Sequence, residues 1–152
     1  MYLLDTNIWL ERLLEQERAE EVGQLLERLP SDELLITDFS FHSIGVICSR
    51  LGEQDAFLNF VQDLFLDGEV ILFSLRPEDM HRLVEVMNDF NLDFDDAYQY
   101  VAAEVYEAIL VSFDGDFDST ERGRSTPAEL LEVGEHEDLP PLQNSDSAQT
   151  QD

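Results

Sequence analysis

Ala108-Ile109-Leu110-Val111-Ser112-Phe113-Asp114-Gly115-Asp116-Phe117 is the stretch that decides the fold. An apolar run of strand length ends on a hydroxyl, and two carboxylates follow, two residues apart. Tyr2-Leu3-Leu4 runs into Asp5 in the same way, and Leu92-Asp93-Phe94-Asp95-Asp96 opens a helical stretch. In an open parallel α/β sheet, ligands bind outside the carboxyl ends of the strands, so aspartates delivered there converge on one pocket. Carboxylates crowded together without a cation push one another's pKa up. A divalent metal ion is the natural occupant of such a place.

Working outward, strand-like and helix-like runs alternate. Ile8, Leu10, Leu13 and Leu14 suggest a helix from near Thr6 or Asn7. Val22, Leu25, Leu26 and Leu29 fall at i, i+3, i+4 and i+7, one helical face, and Pro30-Ser31-Asp32 stops it. Leu34-Leu35-Ile36-Thr37 reads as a short buried strand. Phe41, Ile44, Ile47 and Leu51 mark a helix ended near Gly52, and Phe57, Phe60, Val61 and Leu64 mark the next. After the turn signal Asp67-Gly68, Val70 to Ser74 is a strand. Pro77 suits the first turn of a helix whose face is Met80, Leu83, Val84 and Met87. A loop over Asp89 to Phe94, a helix from about Asp95 to Glu107 and the strand Ala108 to Ser112 follow. Strands separated by helices imply parallel crossovers. The expected fold is α/β, a three-layer α/β/α sandwich around a short parallel sheet.

Composition sets the remaining bounds. The 152 residues suit one domain, and 43% apolar residues suffice for a packed core. Thr126 to Leu131 suggests one further element. From Gly134 the chain is mostly Glu, Asp, Pro, Gln and Ser, too polar to offset the entropy of ordering, so 134–152 reads as a disordered acidic tail. No apolar run approaches the roughly 18 residues of a membrane helix. The N-terminus lacks the pattern of a signal peptide, and Cys48 is the one cysteine. A cytoplasmic protein is expected, with no membrane partner.

The net charge is −27, and all eight basic residues are Arg. Such self-repulsion is tolerated in halophilic proteins, because the screening length shrinks to about 3 Å at 1 M salt. A salt-rich cytoplasm and an ordinary acidic protein are equally open readings. The charge disfavours simple nucleic-acid binding, which normally shows a basic stripe. The one close cationic pair, Arg122 and Arg124, would hold RNA phosphate or else pair with Glu121 or Asp118.

Three motifs in order, Leu4-Asp5-Thr6-Asn7, Asp96-Ala97 followed by Ala103, and Leu110 to Phe117, resemble PIN-domain ribonucleases of the VapC-like toxin group. The resemblance covers residues 1 to about 130. It implies a metal-dependent endoribonuclease, the toxin of a type II toxin–antitoxin pair, with a cognate antitoxin protein as partner and a homodimer as assembly. By the same resemblance Asp5, Asp96 and Asp114 are the metal-site acids and Asp116 supports them. Thr6, Asn7 and Ser112 orient water or those carboxylates. The ion expected is Mg²⁺ or Mn²⁺, since hard divalent ions prefer oxygen ligands.

The chain also departs from that family. These toxins usually carry a Glu early in the helix after the second strand, and the position falls near Ser43. Asp38 and His42 are the nearest residues able to substitute.

Blander readings stand beside these. Asp at a strand end is often just a helix N-cap, and Asp95 competes with Asp96 as the site acid. Cys48 in an apolar helix reads as a small hydrophobe, and Tyr98 and Tyr100 as packing aromatics. A dehalogenase-type phosphatase is disfavoured, because its later Lys has no counterpart here. The remaining rival is a catalytically weak or inactive PIN-fold protein serving as an interaction module.

Overall fold

The computed structural model describes residues 1–137. Four short strands, β1 (Tyr2–Leu4), β2 (Leu34–Thr37), β3 (Ile71–Phe73) and β4 (Ile109–Val111), form one sheet in the order β3-β2-β1-β4. Every pairing is parallel: Leu3 lies opposite both Leu35 and Leu110, and Ile36 lies opposite Leu72. The helices are α1 (Thr6–Leu13), α2 (Ala19–Arg28), α3 (Asp38–Arg50), α4 (Gln54–Val61), α5 (Met80–Phe90), α6 (Phe94–Tyr106) and α7 (Pro127–Glu137).

The strands' two-residue alternation divides the core into two apolar clusters. Leu3, Leu35 and Leu110 face α5 and α6, where they meet Leu83, Val86, Ala97, Tyr100 and Val101. Leu4, Leu34, Ile36 and Val111 face the other way, toward Ile8, Trp9, Val22, Leu25, Ile44, Cys48 and Phe60. Successive side chains on a strand point to opposite faces, so a fully buried strand is apolar at every position. Leu34 to Ile36 is such a run. The expected three-layer α/β/α sandwich is what the chain forms, and Cys48 is buried in it as a small hydrophobe. Among the described residues, no helix is long and apolar enough to cross a membrane.

Element ends differ from the sequence expectation where a side chain or the backbone intervenes. The loop expected over Asp89 to Phe94 shrinks to three residues. Asn91 adopts a left-handed φ of 52° that closes α5, and Asp93 caps α6 by accepting the Asp96 N–H at 2.9 Å. Pro77 starts a 3₁₀ turn (Pro77–Asp79) ahead of α5 rather than α5 itself. The helix after Gly52 widens into π turns over Gln62–Leu66. Helix α7 runs past Gly134, held to α2 by Arg28, whose Nη1 donates to the Leu131 carbonyl at 3.0 Å. Residues 134–137 of the stretch expected to be a disordered acidic tail are thus helical, and the rest of that stretch lies outside the described residues.

Candidate metal centre

All strands point the same way, so the residues after β1, β2 and β4 arrive at one edge of the sheet. Asp5 follows β1 directly. Its amide donates to the Val111 carbonyl at 2.9 Å, fixing the corner between β1 and β4. Asp5 is 7% exposed, and its carboxylate accepts from four neutral donors. Oδ1 takes the Thr6 N–H (2.8 Å) and Gln99 Nε2 (3.0 Å). Oδ2 takes the Ser112 hydroxyl (2.7 Å) and a long contact from Asn7 Nδ2 (3.5 Å). Burial raises the Asp5 pKa, and the hydrogen bonds from Ser112, Gln99 and Thr6 pull against that rise. Asp5 is the N-cap of α1, and the bond that caps it leaves the carboxylate lining the pocket.

Asp96 sits in the first turn of α6, half-buried, and no donor bonds its carboxylate among the described residues. Burial first, then the negative charges of Asp93, Asp114, Asp5 and Asp116, push its pKa up to about 7. Asp114 follows β4 and accepts the Asp116 N–H at 2.8 Å, which starts a 3₁₀ turn over Gly115–Ser119. That turn swings Asp116 back toward Asp96. One carboxylate oxygen each from Asp96, Asp114 and Asp116 lies within 4.8 Å of the others.

The pocket, about 280 Å³, is lined by Asp5, Thr6, Asn7, Ser43, Asp95, Asp96, Gln99 and Asp114, with Leu10 and Phe39. None of its lining side chains is basic. The described ion pairs are Arg82 with Glu85 and Glu104, and Arg124 with Asp118, all elsewhere. An uncompensated carboxylate cluster costs free energy as protein alone. Its chemistry fits a hard divalent ion, which takes oxygen ligands that lie about 3–4 Å from one another around Mg²⁺. Asp95 reaches the pocket wall without joining the close cluster, so the geometry favours Asp96 of the two.

The supporting residues form one network. Ser112 Oγ also accepts Asn7 Nδ2 (3.2 Å) and the Asp114 N–H (2.9 Å), so a single hydroxyl links three site residues. Asn7 Oδ1 takes the Phe113 N–H at 3.3 Å, and the Thr6 hydroxyl shares a 2.7 Å bond with Ser40.

Four other expectations land elsewhere. Asp38 does not line the pocket, and its Oδ1 accepts the Tyr98 hydroxyl (2.7 Å) and the Phe39 N–H. His42 is exposed in a separate groove with Phe41, Gly45, Val46 and Phe57. Ser43, one residue on, does line the acid pocket, so the wall formed by α3 carries a hydroxyl and neither candidate substitute. Arg122 lies at the opposite end of β4, where its Nη2 donates to the Ala108 carbonyl (3.1 Å). Arg124 spends its guanidinium on Asp118 and the Ser112 carbonyl.

Sequence reasoning missed Gln99, Thr37 and Ser40, all buried polar residues bonded together beside Asp5. The available signal was Gln99 itself, a lone amide in the otherwise apolar run Ala97 to Ala103.

The architecture is shared with solved structures. A toxin–antitoxin complex from Klebsiella pneumoniae superposes with a TM-score of 0.68 at 21% identity, covering 84% of this chain and 98% of that one. VapC20 of Mycobacterium tuberculosis, described as a sarcin-ricin loop cleaving toxin, gives 0.68 at 15% identity over 80% and 96% of the two chains. FitAcB from Neisseria gonorrhoeae gives 0.65 at 18% identity over 84% and 99%. No curated protein matches the sequence. The family model for the PIN domain does match it, over residues 2–123, and that span holds every strand and all four converging aspartates. The chain belongs to the PIN domain family.

Proposed function

We propose that this protein is a divalent-metal-dependent endoribonuclease that hydrolyses RNA phosphodiester bonds, and that it is the toxin of a toxin–antitoxin pair. The observation that carries this reading is that Asp5, Asp96 and Asp114 line one pocket with no basic side chain in its lining, and that Asp116 brings a carboxylate oxygen within 4.8 Å of those of Asp96 and Asp114. Asp96, Asp114 and Asp116, whose carboxylate oxygens lie close together, would hold the ion, with Asp5 as a further ligand on the fixed wall beside them. A bound Mg²⁺ or Mn²⁺ supplies charge neutralisation for phosphate and a water of lowered pKa. Ser112 and Asn7 hold Asp5 and the Asp114 backbone in register, and Thr6 ties the start of α1 to Ser40. A chain at −27 approaches RNA only with metal or salt present, which extends the reading to a salt-rich cytoplasm.

The descriptions of the structural relatives, a toxin–antitoxin complex and a sarcin-ricin loop cleaving toxin, support the RNA substrate and the antitoxin partner. A second groove of about 460 Å³, lined by Trp9, Leu13, Leu26, Phe60 and Leu64 between α1, α2 and α4, offers apolar surface for that partner. The homodimer rests on family resemblance alone and is checked by light scattering.

One observation favours the weaker rival, an inactive interaction module: Ser43 stands where the family usually has an acid. RNA cleavage with Mg²⁺ or Mn²⁺ at low and high KCl separates the two. Divalent-dependent cleavage lost in EDTA and in Asp96→Asn supports the nuclease. Cleavage that survives either change refutes the metal mechanism, and no cleavage under any condition selects the module.

A further inference from the structure

We propose that Gln99 is a positioning residue for Asp5, and that Thr37 sets the direction of its amide. The claim rests on the metal-site reading above but concerns residues outside the acid set. Gln99 is 1% exposed and lies in α6 between Ala97 and Ala103. A buried primary amide carries two donors and an acceptor oxygen, and leaving them unmatched is costly. Here they are matched in one sense only.

Thr37, the last residue of β2, accepts the Ser40 N–H at 3.0 Å and donates its own hydroxyl proton to Gln99 Oε1 at 2.8 Å. That bond holds the amide oxygen toward β2 and leaves Nε2 toward the pocket. Nε2 then donates to Asp5 Oδ1 at 3.0 Å and to Ser40 Oγ at 2.5 Å. A flipped amide would set its oxygen against the Asp5 carboxylate and its NH₂ against a hydroxyl whose proton already points at it. Thr37, which does not line the pocket, thus fixes how Gln99 meets Asp5.

The consequence is specific to this chain. Ser112 fixes Asp5 from the β4 side, and Gln99 fixes it from the α6 side, so the carboxylate plane is held from both. On the α3 wall Ser43 adds no charge, so the amide secures Asp5 without enlarging the cluster of like charges. Hydrogen-bond partners of metal-binding residues typically change affinity by about 10–100-fold when removed.

The test is Mn²⁺ binding by the intact protein, measured by calorimetry in high KCl, with thermal melting alongside. Gln99→Met is expected to weaken Mn²⁺ binding about 10–100-fold. Thr37→Val should weaken it in the same direction, and the double variant should be no weaker than Gln99→Met alone, because Thr37 acts through Gln99. Thr37→Ser keeps the hydroxyl and should keep wild-type affinity. Tyr98→Phe is the control for mere destabilisation. It lies on the same helix but bonds Asp38 and the Leu75 N–H, so it should lower the melting temperature and leave Mn²⁺ affinity unchanged. Wild-type affinity in both Gln99→Met and Thr37→Val overturns the positioning role while the metal site stands. If Gln99→Met does not fold, Thr37→Val against Thr37→Ser decides alone. A wild-type protein that binds no Mn²⁺ removes the metal site, and the positioning role with it.

Discussion

Asp5 and Asp96 face the same pocket and are held in opposite ways. Asp5, at the β1 corner, is nearly buried and receives four neutral donors from α1, α6 and β4. Asp96, on the first turn of α6, is more open, receives none, and is pushed up to about 7 by burial and by neighbouring acids. One carboxylate is a fixed part of the scaffold. The other is left unsatisfied by the protein and is satisfied by a proton or a cation. Energetically the site is therefore asymmetric: burial raises both pKa values, but hydrogen bonds offset part of the rise at Asp5, whereas nothing in the protein offsets it at Asp96 until something positive arrives.

That asymmetry gives the two Asp→Asn variants opposite effects on stability despite a shared effect on activity. Each should reduce Mg²⁺- or Mn²⁺-dependent RNA cleavage to the level seen in EDTA, which is the largest change expected. In metal-free protein at pH 8, Asp5→Asn should lose roughly 1–3 kcal/mol, because an NH₂ would face hydrogen-bond donors in a buried corner. Asp96→Asn should gain about 1–2 kcal/mol, because it removes an ionised group that burial and like charges disfavour, discounted for partial exposure. Chemical denaturation of the two variants checks the pair; equal shifts of the same sign would erase the distinction.

The next effect is in pH. Asp96 is raised from 3.8 to about 7 in the folded protein. Folding is therefore favoured while it stays protonated, and that contribution is lost as pH rises from about 4 through about 7. Metal-free protein should accordingly be less stable at pH 8 than at pH 5.5, and the difference should shrink in Asp96→Asn. Mn²⁺ affinity should move the other way, rising over the same interval as the ion displaces the proton. Melting curves at the two pH values, with and without Mn²⁺, measure both.

Ser43→Glu gives a smaller effect and bears on the bare α3 wall. An added carboxylate in the pocket lining should tighten Mn²⁺ binding and lower metal-free stability, most clearly at low salt. Unchanged affinity would mean that the α3 wall takes no part in holding the ion. The smallest expected change is in salt itself. Raising KCl toward 1 M should increase the melting temperature of a chain at −27. A melting temperature indifferent to KCl would count against the salt-rich setting.

The fold was legible because its signals are local. Val22 to Leu29 has helical spacing, and Leu34 to Ile36 is apolar at every position, as a strand covered on both faces must be. The aspartates were legible because strand direction alone gathers residues that follow β1 and β4. What stayed hidden depends on side-chain direction across elements far apart in sequence. Gln99 meets Thr37 and Asp5 only once α6 has packed onto the sheet, and nothing in its neighbours along the chain announces that. Asp38 and His42 both lie near the position of the absent acid, yet the turn of α3 sends one to Tyr98 and the other to a separate groove, leaving Ser43 at the pocket. Arg122 and Arg124 are separated by one glycine, and because the chain there runs alongside β4 in the parallel sense, they reach opposite ends of that strand.

A crystal of the full-length protein grown in high KCl and soaked in Mn²⁺, with anomalous data collected at the manganese edge, puts the metal site to proof. A peak touching Asp96, Asp114 and Asp116 beside an unmoved Asp5, absent in Asp96→Asn, is the expected result. A pocket without a peak in fully soaked crystals, or a peak on another surface, would contradict it.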